Sequence, residues 1–209
     1  VYIRRRRRHS MGGVDLRDGT LVVDRPPNEL DDLAVSFSSL LQRLDVDHVF
    51  VAGYLAILTG RARATEDIDV FVEPLSEAEV TELVDELEAA GFWGPAMPLE
   101  ETYGNLSAGT NIWIAPEGQM TPHLEVKFPS DEFDEASLSN ATPATVGGET
   151  IPVGPLELQV AYKLSLGSRT DLEDAAHIYS VFGDSLSSRR LEQWTQRLGV
   201  SEEYARLRS

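Results

Sequence analysis

The sequence predicts an α+β protein: a mixed β-sheet flanked by helices, followed by a helical C-terminal tail. Three observations predict it. Stretches of period-two apolar alternation, such as Asp67–Val72 and 123–128, are interleaved with stretches of helical apolar spacing over the first two thirds of the chain. From Leu156 onward the strand signal vanishes and only helical patterning remains. At 209 residues, with 42% hydrophobic and 25% charged content, the chain can bury one good core and carry a small helical appendage.

Each element is predicted by local chemistry. Residues 1–27 are expected to form a basic, disordered arm and lead-in. Positions 4–8 are all arginine and no apolar stretch comes after them, so a secretory signal does not fit. Such an arm either contacts nucleic acid or an acidic partner, or is a tail ahead of a start at Met11. Over 28–44, Leu30, Leu33, Val35, Phe37, Leu40, Leu41 and Leu44 make a helical stripe. A short strand at 48–51 leads to Gly53, and a short helix at 54–59 is stopped by Gly60. After the strand Asp67–Val72, a helix at 76–90 opens on a capping box of Ser76 and Glu79 and ends at Gly91. Strands are expected at 111–114 and 123–128. The Ser, Thr, Asp, Asn and Gly content of 131–150 reads as loop, with a brief strand at 151–153 after it. Helices at 156–166, 170–182, 187–198 and 201–208 complete the chain. The expected division is a core over 28–154 and a helical subdomain over 155–209.

Charge narrows the setting more than the partners. Asp and Glu number 35 against 18 Lys and Arg, for a net charge of −17, and lysine occurs only at Lys127 and Lys163. An acid-rich, lysine-poor chain without cysteine suits a cytoplasm of very high salt, where screening removes self-repulsion. Absence of cysteine excludes disulfides and thiolate metal sites. No apolar run reaches the roughly 18–20 residues needed to span a bilayer, so no membrane partner is expected. Nucleic-acid binding could not rest on a broad basic face at low salt.

The residues that carry chemistry are acidic. In Asp67-Ile68-Asp69-Val70-Phe71-Val72 the period of two puts both aspartates on one face, with Ile68 and Val70 pointing into a core. Two such carboxylates repel unless a cation lies between them, which suits Mg²⁺ or Mn²⁺ shared with substrate phosphates. Upstream, Ala52-Gly53 opens a short helix, where backbone N–H groups can approach a phosphate. Downstream, Glu125 lies on the polar side of the 123–128 strand. If that strand pairs beside Asp67–Val72, three carboxylates converge as metal-assisted phosphoryl chemistry requires.

The run Val51-Ala52-Gly53-Tyr54-Leu55-Ala56-Ile57-Leu58-Thr59-Gly60-Arg61-Ala62-Arg63-Ala64-Thr65-Glu66-Asp67-Ile68-Asp69-Val70 resembles the signature of the DNA polymerase β-like nucleotidyltransferase superfamily. Within it, the run is most similar to the AbiEii-type toxins of type IV toxin–antitoxin systems. The tail agrees: Glu157 precedes Lys163 by six, and Arg169, Asp171 and Asp174 come next. The resemblance implies a nucleotidyltransferase-type sheet, with Asp67, Asp69 and Glu125 as metal ligands. It places Gly53, Tyr54, Arg61, Arg63, Thr65 and Lys163 at the nucleotide, with Lys163 on the triphosphate and Asp174 acting in the transfer step. The implied partners are a nucleoside triphosphate, a tRNA or protein acceptor, and a cognate antitoxin. Ala52 departs from the pattern, standing where the first glycine of a pair is usual.

Other residues have plainer readings. Lys127 either faces the same site or pairs with Glu125. His123 and His177 read as ordinary polar positions, and Trp113 and Trp194 as packing. Two functions compete: transfer of a nucleotidyl group to a hydroxyl, or a non-catalytic nucleotide-sensing or partner-binding module.

Overall fold

A computed structural model describes residues 13–208. The part of the expected arm at 1–12 lies outside the described residues. The remainder, expected as an irregular lead-in, is instead part of the sheet. Strands β1 (Val14–Arg17) and β2 (Thr20–Val23) form a hairpin around Asp18-Gly19, both at positive φ (49° and 83°). An Asp-Gly pair populates that left-handed geometry readily, and it matches the twist of the two strands.

Helix α1 (Glu29–Arg43) opens on a capping box of Asn28 and Asp31. Strand β3 (His48–Phe50) runs into α2 (Ala52–Leu58), then β4 (Asp67–Val72) and α3 (Glu77–Ala89), whose Ser76–Glu79 capping box forms as expected. The next stretch holds β5 (Phe92–Trp93), a 3₁₀ turn (Leu99–Glu101) and α4 (Thr102–Ser107). Strands β6 (Ile112–Pro116) and β7 (His123–Lys127) come after it.

The 131–150 stretch overturns the loop expectation. Asp131 accepts from the backbone N–H groups of Phe133 and Asp134 and starts α5 (Glu132–Ser139). Strands β8 (Thr142–Val146) and β9 (Glu149–Val153) then close a hairpin through Gly147-Gly148, both at positive φ. The chain finishes with α6 (Leu156–Leu166), α7 (Arg169–Phe182), α8 (Ser188–Arg197) and α9 (Ser201–Leu207).

The strands form one mixed sheet, ordered β1-β2-β8-β9-β3-β4-β7-β6-β5. Parallel pairs join β2 to β8, β9 to β3 and β4 to β7; the rest are antiparallel. The main core runs from Val14 through Phe37, Ile68 and Leu124 to Ile178 and Tyr204. The C-terminal helices therefore share the sheet's core instead of building their own. A smaller cluster, Val49, Val51 and Phe71, lies on the other face, where Leu138 and Ala141 pack against it. Among the described residues no helix is long and apolar enough to cross a membrane.

Candidate active site

Strand β4 presents its residues as its alternation requires. Ile68 and Val70 are fully buried, while Asp67 and Asp69 sit half-buried on the opposite face. Parallel pairing with β7 sets Asp69 opposite Glu125, Asp67 opposite His123 and Phe71 opposite Lys127. Three carboxylates thus occupy neighbouring positions on one face of two adjacent strands.

Their side chains are held separately. Thr65 Oγ1 donates to Asp67 Oδ1. Asn111 Nδ2 donates to Glu125 Oε2 at 2.6 Å, and Glu125 Oε1 lies 3.6 Å from His123 Nε2. Among the described residues no group of three His, Asp or Glu side chains is drawn together closely enough to hold a metal ion as it stands. The donors are nonetheless oxygens of the kind a hard divalent ion takes, and their charges act on one another. Burial pushes the Asp69 carboxyl up to about 6; the charges of Asp67 and Glu125 push the same way, and Lys163 and Lys127 oppose them. The ring nitrogens of buried His123, which have no hydrogen-bond partner among the described residues, lie on this carboxylate side too. Mg²⁺ or Mn²⁺, with oxygen ligands at about 2.0–2.2 Å, fits this donor set.

Three cations gather on acids of α7. Lys163 Nζ, from α6, is 2.9 Å from Asp171 Oδ1 and 2.9 Å from Asp174 Oδ2. Arg63 Nη1 donates to Asp174 Oδ2 at 2.8 Å, and Arg61 contacts both Asp174 and Glu173. Asp174 is wholly buried under these three cations. Both guanidiniums are thus engaged by protein acids, and Asp174 orders the three cations around it. Of the three ammonium donors on Lys163, two are engaged.

Tyr54 is a correction. Its ring is fully buried and its hydroxyl donates to Asp31 Oδ1 at 3.0 Å, beside the Arg25–Asp31 ion pair. An aromatic with one polar end served in the core has no surface left for a nucleotide. Gly53 is also buried and faces the Arg63 guanidinium, which a Cβ there would touch at 3.4 Å, about van der Waals contact. Lys127 pairs with Asp134 Oδ2 at 3.2 Å and covers the Phe71 ring, and so is not matched with Glu125. His177 Nε2 donates to Thr59 O at 2.9 Å and ties α7 to the end of α2.

Ala52 adopts φ +54°, the left-handed region that glycine enters freely and alanine only at a cost of about 1–2 kcal/mol. Its N–H is held by Gln159 Oε1 at 3.2 Å. The departure from glycine has kept the turn and left strain in it. Ala52→Gly is expected to raise stability by up to about 1 kcal/mol, since relief of strain outweighs the extra freedom of an unfolded glycine. The midpoint of urea unfolding measures it.

Sequence reasoning missed the wall of the site. Helix α5 brings Phe133, Asp134 and Ser137 opposite Asp69, and with Val51, Phe71, Gln159 and Tyr162 they line a cavity of about 210 Å³. The signal was present in Asp131, an N-cap residue with acids after it that favour a helix's first turn.

No protein-family model matches the chain, and no curated protein matches it. Solved structures do. An antigenic nucleotidyltransferase-like protein from Paracoccidioides brasiliensis is 16% identical, with a TM-score of 0.56 over 86% of this chain and 91% of that one. The antibiotic-resistance factor ANT(2'')-Ia is 12% identical, with a TM-score of 0.49 over 87% and 97%. The lincosamide antibiotic adenylyltransferase LnuA, lincomycin-bound, is 15% identical, with a TM-score of 0.48 over 75% and 99%. The last two overlaps are too low to carry weight. At its low identity the first speaks to fold alone, and on it the chain has a nucleotidyltransferase-like fold.

Proposed function

We propose that this protein transfers a nucleotidyl group from a nucleoside triphosphate to a hydroxyl acceptor. The observation that carries the reading is the β4–β7 register, which seats Glu125 beside Asp69 with Asp67 on the same face. In the reaction the acceptor oxygen attacks the α-phosphorus, the α–β phosphoanhydride bond breaks, and pyrophosphate leaves. Asp67, Asp69 and Glu125 would hold Mg²⁺ or Mn²⁺, which when bound supplies charge neutralisation at the phosphates and acidifies the acceptor hydroxyl. Thr65 fixes Asp67 in place. Glu125, steadied by Asn111, completes the ligand set or takes the acceptor's proton. Lys163 directs its remaining donor and its charge toward the triphosphate, while Asp174 and Asp171 hold its ammonium. The likeness of residues 51–72 to AbiEii-type toxins supports a tRNA end or a protein residue as acceptor, and a cognate antitoxin as partner.

A second reading is a nucleotide-sensing or partner-binding module of weak or no activity. It is favoured by the engagement of Arg61, Arg63 and Lys163 with Asp174, and by the strained Ala52 turn. Calorimetric titration of ATP, GTP, CTP and UTP with Mg²⁺, on wild type and Asp69→Ala, separates the two. The enzyme reading expects metal-dependent binding and pyrophosphate release, both lost in the variant. Binding that survives Asp69→Ala without turnover rejects it in favour of the module.

A further inference from the structure

His123 stands out once its surroundings are counted. Only 6% of its surface is exposed, and neither Nδ1 nor Nε2 has a hydrogen-bond partner among the described residues. A buried polar group left unpartnered costs about 1–3 kcal/mol, which an apolar residue at the same strand position would avoid. The ring cannot turn to water. Trp113 stacks on it with centroids 4.2 Å apart and planes 25° from parallel. His48 and His177 differ: His48 lies 2.8 Å from Ser38 Oγ and 3.0 Å from Val46 O, and His177 lies 2.9 Å from Thr59 O.

The ring is also on the carboxylate face. His123 is in register with Asp67 across β4 and β7, and two residues before Glu125 on the same side of β7. Nε2 faces Glu125 Oε1 at 3.6 Å, beyond a hydrogen bond, while Asn111 holds the other carboxylate oxygen. Two donors bound to one ion at about 2.1 Å each stand roughly 3–3.6 Å apart. That is the spacing found here.

The geometry points to His123 as a nitrogen ligand of the carboxylate site, making it a mixed nitrogen–oxygen site that selects Mn²⁺ and other transition ions over Mg²⁺. The inference rests on the metal site of the nucleotidyltransferase reading and adds a ligand and a selectivity to it. Mg²⁺ takes oxygen ligands and keeps its waters, whereas imidazole binds well to divalent transition ions. Trp113 fixes the ring plane, and Asn111 leaves Glu125 one oxygen directed to the same space.

The test uses the full chain, stripped with EDTA and loaded with Mn²⁺ alone. Pulsed electron paramagnetic resonance is expected to show ¹⁴N modulation from a coordinated imidazole, absent in His123→Phe, which keeps the stack on Trp113. Mn²⁺ affinity is expected to fall at least about tenfold in that variant, while Mg²⁺ affinity changes less than about twofold. His123→Gln serves as a second variant should the phenylalanine form fail to fold, and the wild-type spectrum needs neither. Bound Mn²⁺ without ¹⁴N modulation, or modulation that persists in the folded variants, overturns the ligand and leaves the enzyme reading standing. Mn²⁺ that does not bind wild type, or binds Asp69→Ala equally, overturns both.

Discussion

Asp174→Asn is expected to destabilise the protein by about 3–5 kcal/mol, a larger loss than any surface ion pair could produce. Asp174 is wholly buried, and Arg61, Arg63 and Lys163 all converge on it. Asparagine keeps the size but removes the charge, so buried cations face an amide that cannot balance them. Arg61 retains Glu173 and Lys163 retains Asp171, which keeps the effect within this range. For a chain of this length each kcal/mol moves the melting temperature by roughly 2–4 °C, so a fall of about 6–20 °C in circular-dichroism melts is expected. A change under about 2 °C would mean that the three cations have other partners in solution. Exposed pairs are a different matter. Arg43 and Glu86, 4.0 Å apart and both exposed, should contribute less than about 1 kcal/mol.

Asp69→Asn should act in the opposite direction on stability while removing metal dependence. In the folded chain the Asp69 carboxyl titrates near 6, against an ordinary value of 3.8. The folded state therefore binds this proton more tightly than the unfolded state does. Stability accordingly falls as pH rises from about 4 to about 6, and the deficit is complete above that window. Its size at pH 7 is at most about 3 kcal/mol, with burial first and the neighbouring carboxylates second among its causes. In EDTA, wild type should melt several degrees lower at pH 7 than at pH 4.5 as far as this group is concerned, and Asp69→Asn should flatten that difference. Added Mg²⁺ or Mn²⁺ should raise the wild-type melting temperature at pH 7 and leave the variant unmoved. A wild-type curve already flat across this window, with that of Asp69→Asn superimposed on it, would show that neither burial nor the neighbouring carboxylates hold the Asp69 proton, and the argument for a cation would go with it.

The two effects express one compromise. Acids set side by side on one partly buried face destabilise the chain, and Thr65, Asn111 and the ammonium of Lys163 partly offset this. Strain of this kind is common where function and stability compete.

Much of the fold was legible in the residues alone. The Asp67–Val72 strand, the capping box at Ser76 and Glu79, and helix Leu156–Leu166 all form where local pattern puts them. Two hairpins were not recognised although both carry a strong turn signal, Asp18-Gly19 and Gly147-Gly148. Their flanks misled. Pro143 and Pro152 argue against strands, yet they stand opposite each other in the β8–β9 ladder. Polar composition over 131–139 likewise hid an N-capped helix.

By itself, the sequence determined which residues share a face. Alternation along β4 orders Asp67 and Asp69 against Ile68 and Val70 whatever the strand pairs with, because successive side chains of any strand point to opposite sides. Only the tertiary structure decided what meets that face. Pairing of β4 with β7 brought Glu125 and His123 to the aspartates, the docking of α7 drew Arg61, Arg63 and Lys163 onto Asp174, and α1 took Tyr54 into the core. Arg63 and Asp174, for one, stand 111 positions apart. Local propensity acts over a few residues, whereas charge and burial depend on the whole packed chain, so no spacing in the sequence could announce those contacts.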